Sequence, residues 1–289
     1  LVVGAEQMFS VDASRRDSDR VTLQHAIRGV LDPVEAWRVG LTMLNVGDLL
    51  MDHVAHGSGW PRETWRGLLE AVTLRKYASS IALGAGLQAG KEGAFPHKRI
   101  DRARYAASGH VTPWYNLHDV SAPANGATAL LLTRTPERFP GARKLRVLGA
   151  ADGQTRVGLS GRRGPLGRSA AIRRALRGLC HDAGVTPDLL AASGAVLHDP
   201  FPAIEWAFLS EIDAAVGQAD LAERALKWLG GTTNPFGGLC ANGHAQGNSG
   251  LLQVALLHQW LRGREPGPPA WLLTSVGAPL TRVVATLLC

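Results

Sequence analysis

Cysteine is scarce in this chain: Cys180, Cys240 and Cys289 are the only three among 289 residues. Their wide, irregular spacing supports neither a paired disulfide framework nor a Cys-x-x-Cys metal site. Free thiols, no bound metal and a reducing, cytoplasmic setting are therefore expected. No run of eighteen apolar residues occurs, so no membrane-spanning helix is expected. An initiating methionine is also missing: the chain opens as Leu1-Val2-Val3, inside a strand-like pattern, and is expected to be an N-terminally truncated fragment. Aromatic residues make up 6% of the sequence and do not interleave with its basic runs, as they would on a base-stacking surface. Nucleic acid is therefore not an expected partner.

What is present is enough apolar material, 45% of residues, to bury a substantial core in one large domain or two linked halves. The net charge is +7. Its basic residues concentrate between Lys91 and Arg104 and between Arg134 and Arg177. Such runs attract anionic phosphate groups, although a solvated surface accounts equally for most of them.

Along the chain, residues 1–8 read as a buried, valine-rich strand. Amphipathic helical patterns follow at residues 33–50 and 61–83, the second with Pro61 and Glu63 in a plausible first turn. Residues 127–133 and 144–150 are strand-like. Residues 153–167 turn glycine- and arginine-rich and are expected to link two halves, 1–155 and 156–289. Ser169 is placed to cap a helix over 170–180 that Gly184 ends. A short strand at 195–197 delivers His198 to a loop, and Pro202 opens another helix with Ile204, Phe208 and Ile212 on one face. A further helix is expected at 221–229 and strands at 270–276 and 282–288. Strands alternating with helices give an α/β class.

The most informative stretch is Asn234 to Gly250, in which His244 stands among five glycines ahead of an apolar helical pattern. Glycines allow close approach of backbone or ligand, and Asn248 or Ser249 is placed to cap the helix that follows. His244 would then face a helix N-terminus, which favours negative charge. On spacing alone, a glycine-rich turn whose histidine only satisfies local hydrogen bonds stands beside that reading.

This stretch resembles the Asn-Pro-x-Gly-Gly and Gly-His-x-x-Gly signature of the thiolase superfamily, above all its sterol-carrier, lipid-transfer type. Gln259-Trp260-Leu261-Arg262-Gly263 is similar to that type's Gln-Leu-Arg-Gly-like ending. Other segments follow in family order: Leu1 to Met8 resembles the strand after the nucleophile helix, and Val120 to Leu132 an Asp-Gly-Ala-Ala-Ala-Leu strand entry. His198-Asp199-Pro200-Phe201 stands where the type carries His-Asp-Cys-Phe. The resemblance implies a five-layer αβαβα fold of two similar halves, the first incomplete. It also implies a loop domain over about 9–118 and, by analogy, a homodimer.

By the same resemblance, His244 and His198 are expected to polarise a thioester carbonyl. Coenzyme A thioesters are the implied substrates, with no tightly bound cofactor, and the basic runs become candidates for attracting coenzyme A phosphates. Phe201, Gly243, Gly247 and Gly277 are the expected ligand-lining positions. Departures from the family pattern concern the acid/base. Pro200 replaces the cysteine of His-Asp-Cys-Phe, and Ser275 best aligns with the cysteine of the C-terminal Cys-x-Gly-Gly-Gly turn, a one-place slip offering Thr274. A serine hydroxyl is too weak an acid to replace a thiol unaided. Pro279 removes a backbone donor from that turn. Cys240, in the loop of His244, is a weaker candidate. The expected activity is acyltransferase-like. The alternatives are retro-aldol cleavage of a β-hydroxyacyl-CoA, for which some relatives use an OB-fold and zinc-ribbon partner, and a non-catalytic lipid carrier or assembly subunit.

Overall fold

The computed structural model describes residues 1–8, 18, 21, 31–32, 34–87, 99–156, 158–159, 165–218, 220–262, 264, 267–277 and 280–289. Strand β1 (Val2–Glu6) pairs antiparallel with β2 (Gly126–Leu130), Val2 facing Leu130 and Glu6 facing Gly126. A second sheet runs in the order β3-β6-β5-β4, from β3 (Val147–Gln154), β4 (Gly194–Val196), β5 (Trp271–Gly277) and β6 (Arg282–Leu288). Only the β4–β5 pairing is parallel; the other two are antiparallel. The expected division after residue 155 falls just beyond β3, which hydrogen-bonds into the sheet of residues 156–289.

The helices are α1 (Met43–Ser58), α2 (Arg62–Leu87), α3 (Arg102–Ala107), α4 (Ala170–Asp182), α5 (Pro187–Ala192), α6 (Pro202–Ala215), α7 (Leu221–Leu229), α8 (Gly238–Asn242) and α9 (Ser249–Trp260). None of those described is long and apolar enough to cross a membrane. The amphipathic helix α4 begins where the Ser169 hydroxyl accepts from Ile172 N–H, and it lays Ile172, Ala175, Leu176 and Leu179 on β3 and β6. Apolar nearly all round, α6 is buried along most of its length, as a helix without a polar face must be. Trp206 on α6 meets Trp65 of α2 at 4.7 Å and Trp228 of α7 at 5.4 Å between ring centroids, and this aromatic knot marks the centre of the core. Truncating one such buried ring costs about 3–5 kcal/mol.

Three local expectations are corrected. The first strand is not buried: Val3 is 62% exposed, because among the described residues β1 pairs with β2 alone and its Gly4 face packs on Asn248 and Leu251 while the Val3 face is open. The helical pattern at 33–50 breaks into a π-helical turn, Val34–Arg38, and then α1. Gly40 takes a left-handed φ of 74°, and Thr42 starts a new helix through a reciprocal capping box with Asn45. Asn248 takes the N-cap position of α9 as expected, but its side chain makes no cap bond there, and the Ser249 hydroxyl bonds His244.

Of the interval 9–118, residues 9–17, 19–20, 22–30, 33 and 88–98 lie outside the described residues, as do Ala278, Pro279 and parts of the expected link at 153–167. The described helices of that interval pack on the second half, α1 against α6 and α2 against α7 and α8. That places α2 behind the loops that carry both singled-out histidines.

Candidate active site

Strand β4 ends at Val196, and the next residue is clasped on both sides. Leu197 N–H donates to Asn234 Oδ1 (2.9 Å), while its carbonyl accepts from Asn234 Nδ2 (3.1 Å) and Gln253 Nε2 (3.2 Å). His198 N–H donates to Thr274 Oγ1 on β5 at 2.9 Å. Ser121 N–H donates to the carbonyl of Pro200 at 3.1 Å. The backbone of His198 therefore has little freedom.

His244 arrives from the other direction. Helix α8 ends in Gly243, whose φ of 84° and ψ of 161° turn the chain, and His244 then bonds the 122–124 segment: its N–H donates to Ala122 O (2.8 Å) and its carbonyl accepts from Ala124 N–H (3.2 Å). Its ring Nδ1 lies 2.8 Å from Ser249 Oγ. The two imidazoles meet edge to face, ring centroids 5.1 Å apart and planes at 78°. Burial, and secondly the neighbouring His244, holds His198 well below the ordinary histidine value; burial brings His244 down to about 4. Both rings are thus neutral near pH 7, each with one nitrogen able to donate and one able to accept. Nδ1 of His198 is buried without a hydrogen-bond partner among the described residues, as are both amide atoms of Asn248 and Oε1 of Gln253.

Behind the pair lies a buried charge cluster. Lys76 Nζ, on α2, donates to Asp199 Oδ2 at 2.8 Å and to Glu205 Oε2. Asp199 Oδ1 accepts from Leu239 N–H (2.6 Å), and Glu205 Oε1 from Asn234 Nδ2 (2.6 Å). Trp228 Nε1 donates to Glu205 Oε2 at 3.0 Å. Burial by itself would lower the Lys76 pKa, but Asp199 and Glu205 outweigh it and the ammonium is held charged. Burial pushes the Asp199 carboxyl upward against the pull of Lys76. Gly238, with a φ of 63°, has no room for a Cβ because the Asp199 carboxylate fills that space. Sequence reasoning passed over Lys76, Glu205 and the clasping role of Asn234. A signal existed for Lys76, since it continues the Trp65, Leu69, Val72 stripe buried along α2. Asp199 does not cap α6, whose N-cap has no side-chain bond; it serves the first turn of α8.

The remaining expected positions scatter around the pair. Thr274 holds the His198 backbone, whereas Ser275 alternates to the other face of β5 and lies against Gly250 in the first turn of α9. Phe201 is a core residue, stacked on Tyr115 at 6.2 Å and pressed against Gly47. Gly247 is exposed and its N–H donates to Glu6 Oε2 at 3.1 Å, while Gly277 ends β5 opposite Arg282. The Cys240 thiol donates to His118 O (3.1 Å) in a cluster with Tyr77, Ile100 and Tyr105, and burial raises its pKa. Cys180 lies on α4, and Cys289 follows β6 with its sulfur accepting from Arg146 Nε.

No family model matches the sequence, and no curated protein matches it. Solved structures do. The chain is similar to a thiolase of Ascaris suum in complex with coenzyme A, with 17% identity, 99% of this chain and 70% of that one covered, and a TM-score of 0.60. It is similar to an Ltp2-ChsH2(DUF35) aldolase, at 18% identity over 88% of this chain and 66% of the other, TM-score 0.66. A third likeness is to a monomeric SCP2-thiolase-like protein type 1 of Mycobacterium smegmatis, at 18% identity over 86% of this chain and 52% of that one, TM-score 0.58. The fold is α/β and thiolase-like, and this chain spans between half and about two thirds of the length of the last two proteins.

Proposed function

We propose that this chain acts in lipid metabolism by binding an acyl-CoA thioester whose carbonyl oxygen is polarised by His198 and His244. The observation that carries the reading is the pair itself: two neutral imidazoles, His198 buried and His244 part-buried, with centroids 5.1 Å apart and delivered by separate loops. A neutral imidazole suits a thioester because it donates an N–H to oxygen as negative charge develops without first having to be charged in a dry site. In the tautomer in which the Ser249 hydroxyl donates to His244 Nδ1, the ring proton lies on Nε2, the nitrogen a ligand would meet. The fold likeness to a thiolase in complex with coenzyme A adds weight to the ligand class.

The reaction is read from what stands near the pair. Thiolytic acyl transfer needs a thiol as acid/base beside the pair, and none of the three cysteines stands there: Cys240 bonds His118, Cys180 is on α4 and Cys289 lies beside Arg146. Pro200 and Ser275 offer no replacement acid. This favours retro-aldol cleavage of a β-hydroxyacyl-CoA as the second reading. A base there takes the β-hydroxyl proton, the bond between α and β carbons breaks, and its electron pair enters an enolate that the imidazole donors stabilise until the α carbon is protonated.

Titration calorimetry with an acyl-CoA is the first test, with binding expected to weaken at least tenfold in His244→Ala and in His198→Ala. Product analysis then separates the reactions: a β-ketoacyl-CoA with free coenzyme A reports thiolysis, and a β-hydroxyacyl-CoA alone reports the lyase. Full binding in His244→Ala with no turnover of either substrate would leave only the carrier reading.

A further inference from the structure

We infer that Lys76 is a positioning residue for the His198–His244 pair, acting through Asp199 and Glu205; as a statement about a thioester site, this rests on the reading above. Lys76 is 1% exposed and its two carboxylate partners are fully buried, so the cluster has no access to solvent that could substitute for any member. Each carboxylate uses one oxygen on Lys76 and the other on backbone or amide that leads to a histidine.

The two branches can be followed bond by bond. Asp199 is covalently next to His198, and its Oδ1 accepts from Leu239 N–H in the first turn of α8, whose far end is Gly243, immediately before His244. One carboxylate therefore ties the chain at one imidazole to the helix that delivers the other. Glu205 takes the second branch: its Oε1 accepts from Asn234 Nδ2, and Asn234 clasps both the N–H and the carbonyl of Leu197, on the opposite flank of His198. Asn234 has a left-handed φ of 45°, which few side-chain-bearing residues adopt, so its placement is bought with backbone strain. Arg75 completes the surroundings, its guanidinium reaching the carbonyls of Asn234 and Trp228 at 3.4 Å.

Charge neutralisation alone does not account for this arrangement. Buried ion clusters are commonly replaceable by neutral side chains of like volume without loss of stability, so a cluster retained only for stability should be replaceable here. A cluster whose bonds end on the residues flanking two reactive rings has a second consequence: its removal changes how those rings sit even where the fold survives. Lys76 also comes from a helix more than a hundred residues away in sequence, so docking of α2 and geometry of the pair become one event.

The test uses the variant Lys76→Met/Glu205→Gln, which removes one charge of each sign, beside Arg168→Met/Glu211→Gln, a matched pair away from the histidines. Ring-nitrogen NMR of histidine-labelled protein reads the tautomer and environment of each imidazole, and calorimetry reads affinity for an acyl-CoA. The expected result is a folded Lys76→Met/Glu205→Gln protein in which the His198 and His244 ring signals shift or broaden and affinity falls at least tenfold, with both readouts unchanged in the matched pair. Ring signals and affinity that overlay the wild type in the folded variant would overturn the inference. Should that variant not fold, Lys76→Arg keeps the charge while altering reach, and unmoved ring signals there overturn it equally. A wild-type protein that binds no acyl-CoA, yet whose ring signals move in the variants, sinks the ligand reading and leaves the positioning role standing.

Discussion

Two ion clusters in this molecule have opposite proportions. Around Lys76, one cation serves two carboxylates in complete burial. Around Glu211, one buried carboxylate receives Arg168 (2.8 and 3.0 Å) and Arg173 (3.1 and 3.3 Å), arginines whose side chains are 41% and 44% exposed. Glu211 also accepts Ser169 N–H at 3.0 Å, so its work is to dock the start of α4 against α6. Water can take over part of the second cluster and none of the first. The difference separates a cluster that can be loosened gradually from one that must be kept whole or dismantled in balanced pairs.

That contrast breaks first at Lys76. Removing the ammonium alone, in Lys76→Met, leaves two buried carboxylates facing one another, and the loss of stability should reach about 3–5 kcal/mol in denaturant unfolding. A loss no larger than that of Glu211→Gln would erase the distinction between the clusters. Gly238→Ala comes next. Its Cβ would overlap the Asp199 carboxylate at a left-handed φ of 63°, so about 2–3 kcal/mol is expected, together with movement of the His244 ring signals.

How legible this arrangement was in the sequence follows the same line between local and distant. Helix α7 and strand β6 fall where alternation and capping residues put them, because Asp220 accepting Ala222 and Glu223 N–H is a local event. The convergence of His198 and His244 in one place was carried by the resemblance, since nothing in the spacing of either loop specifies the other. The partner of Asp199 is equally distant. Its carboxylate accepts from Leu239 N–H, forty residues away in sequence, while the N-cap of α6 is Phe201 and has no side-chain bond. The exposure of β1 was illegible for a similar reason: a valine-rich strand reads as buried whether or not anything covers it, and what covers it is a tertiary fact. Lys76 shows the limit most clearly. Its position on a buried stripe is visible in the sequence, but its partners lie 123 and 129 residues away and no local pattern names them.

Acid separates the site from the Glu211 cluster along the pH axis. Burial depresses His244 from 6.5 to about 4 and holds His198 well below 6.5, so in this range the unfolded chain binds more protons than the folded one. The histidines' contribution is therefore complete above about 6.5 and falls as pH drops through this window, by about 1.4 kcal/mol per pH unit for each one that stays neutral, while Asp199, raised to about 7, contributes in the opposite sense over the same range. Denaturant melts at stepped pH read the balance, and His198→Gln should lower the slope by about 1.4 kcal/mol per pH unit relative to wild type. A slope between pH 6.5 and 4.5 that His198→Gln leaves unchanged would mean that the His198 ring is not desolvated.

Glu211 contributes on the other side of that window. Burial would raise its pKa, but Arg168 and Arg173 outweigh it and lower it below 4.5, so its contribution is present above 4.5 and disappears as pH falls through the depressed value. Glu211→Gln should accordingly cost only about 1–2 kcal/mol at neutral pH, because the amide oxygen still accepts from Ser169 N–H and the freed arginines regain water. The same variant should lose its disadvantage as pH falls through the depressed value, where wild-type Glu211 itself becomes protonated. An effect at neutral pH as large as that of Lys76→Met would show that the exposed arginines hold α4 as rigidly as the buried ammonium holds the loops. In that case burial, rather than the bonds that lead to the histidines, would no longer be what distinguishes one cluster from the other.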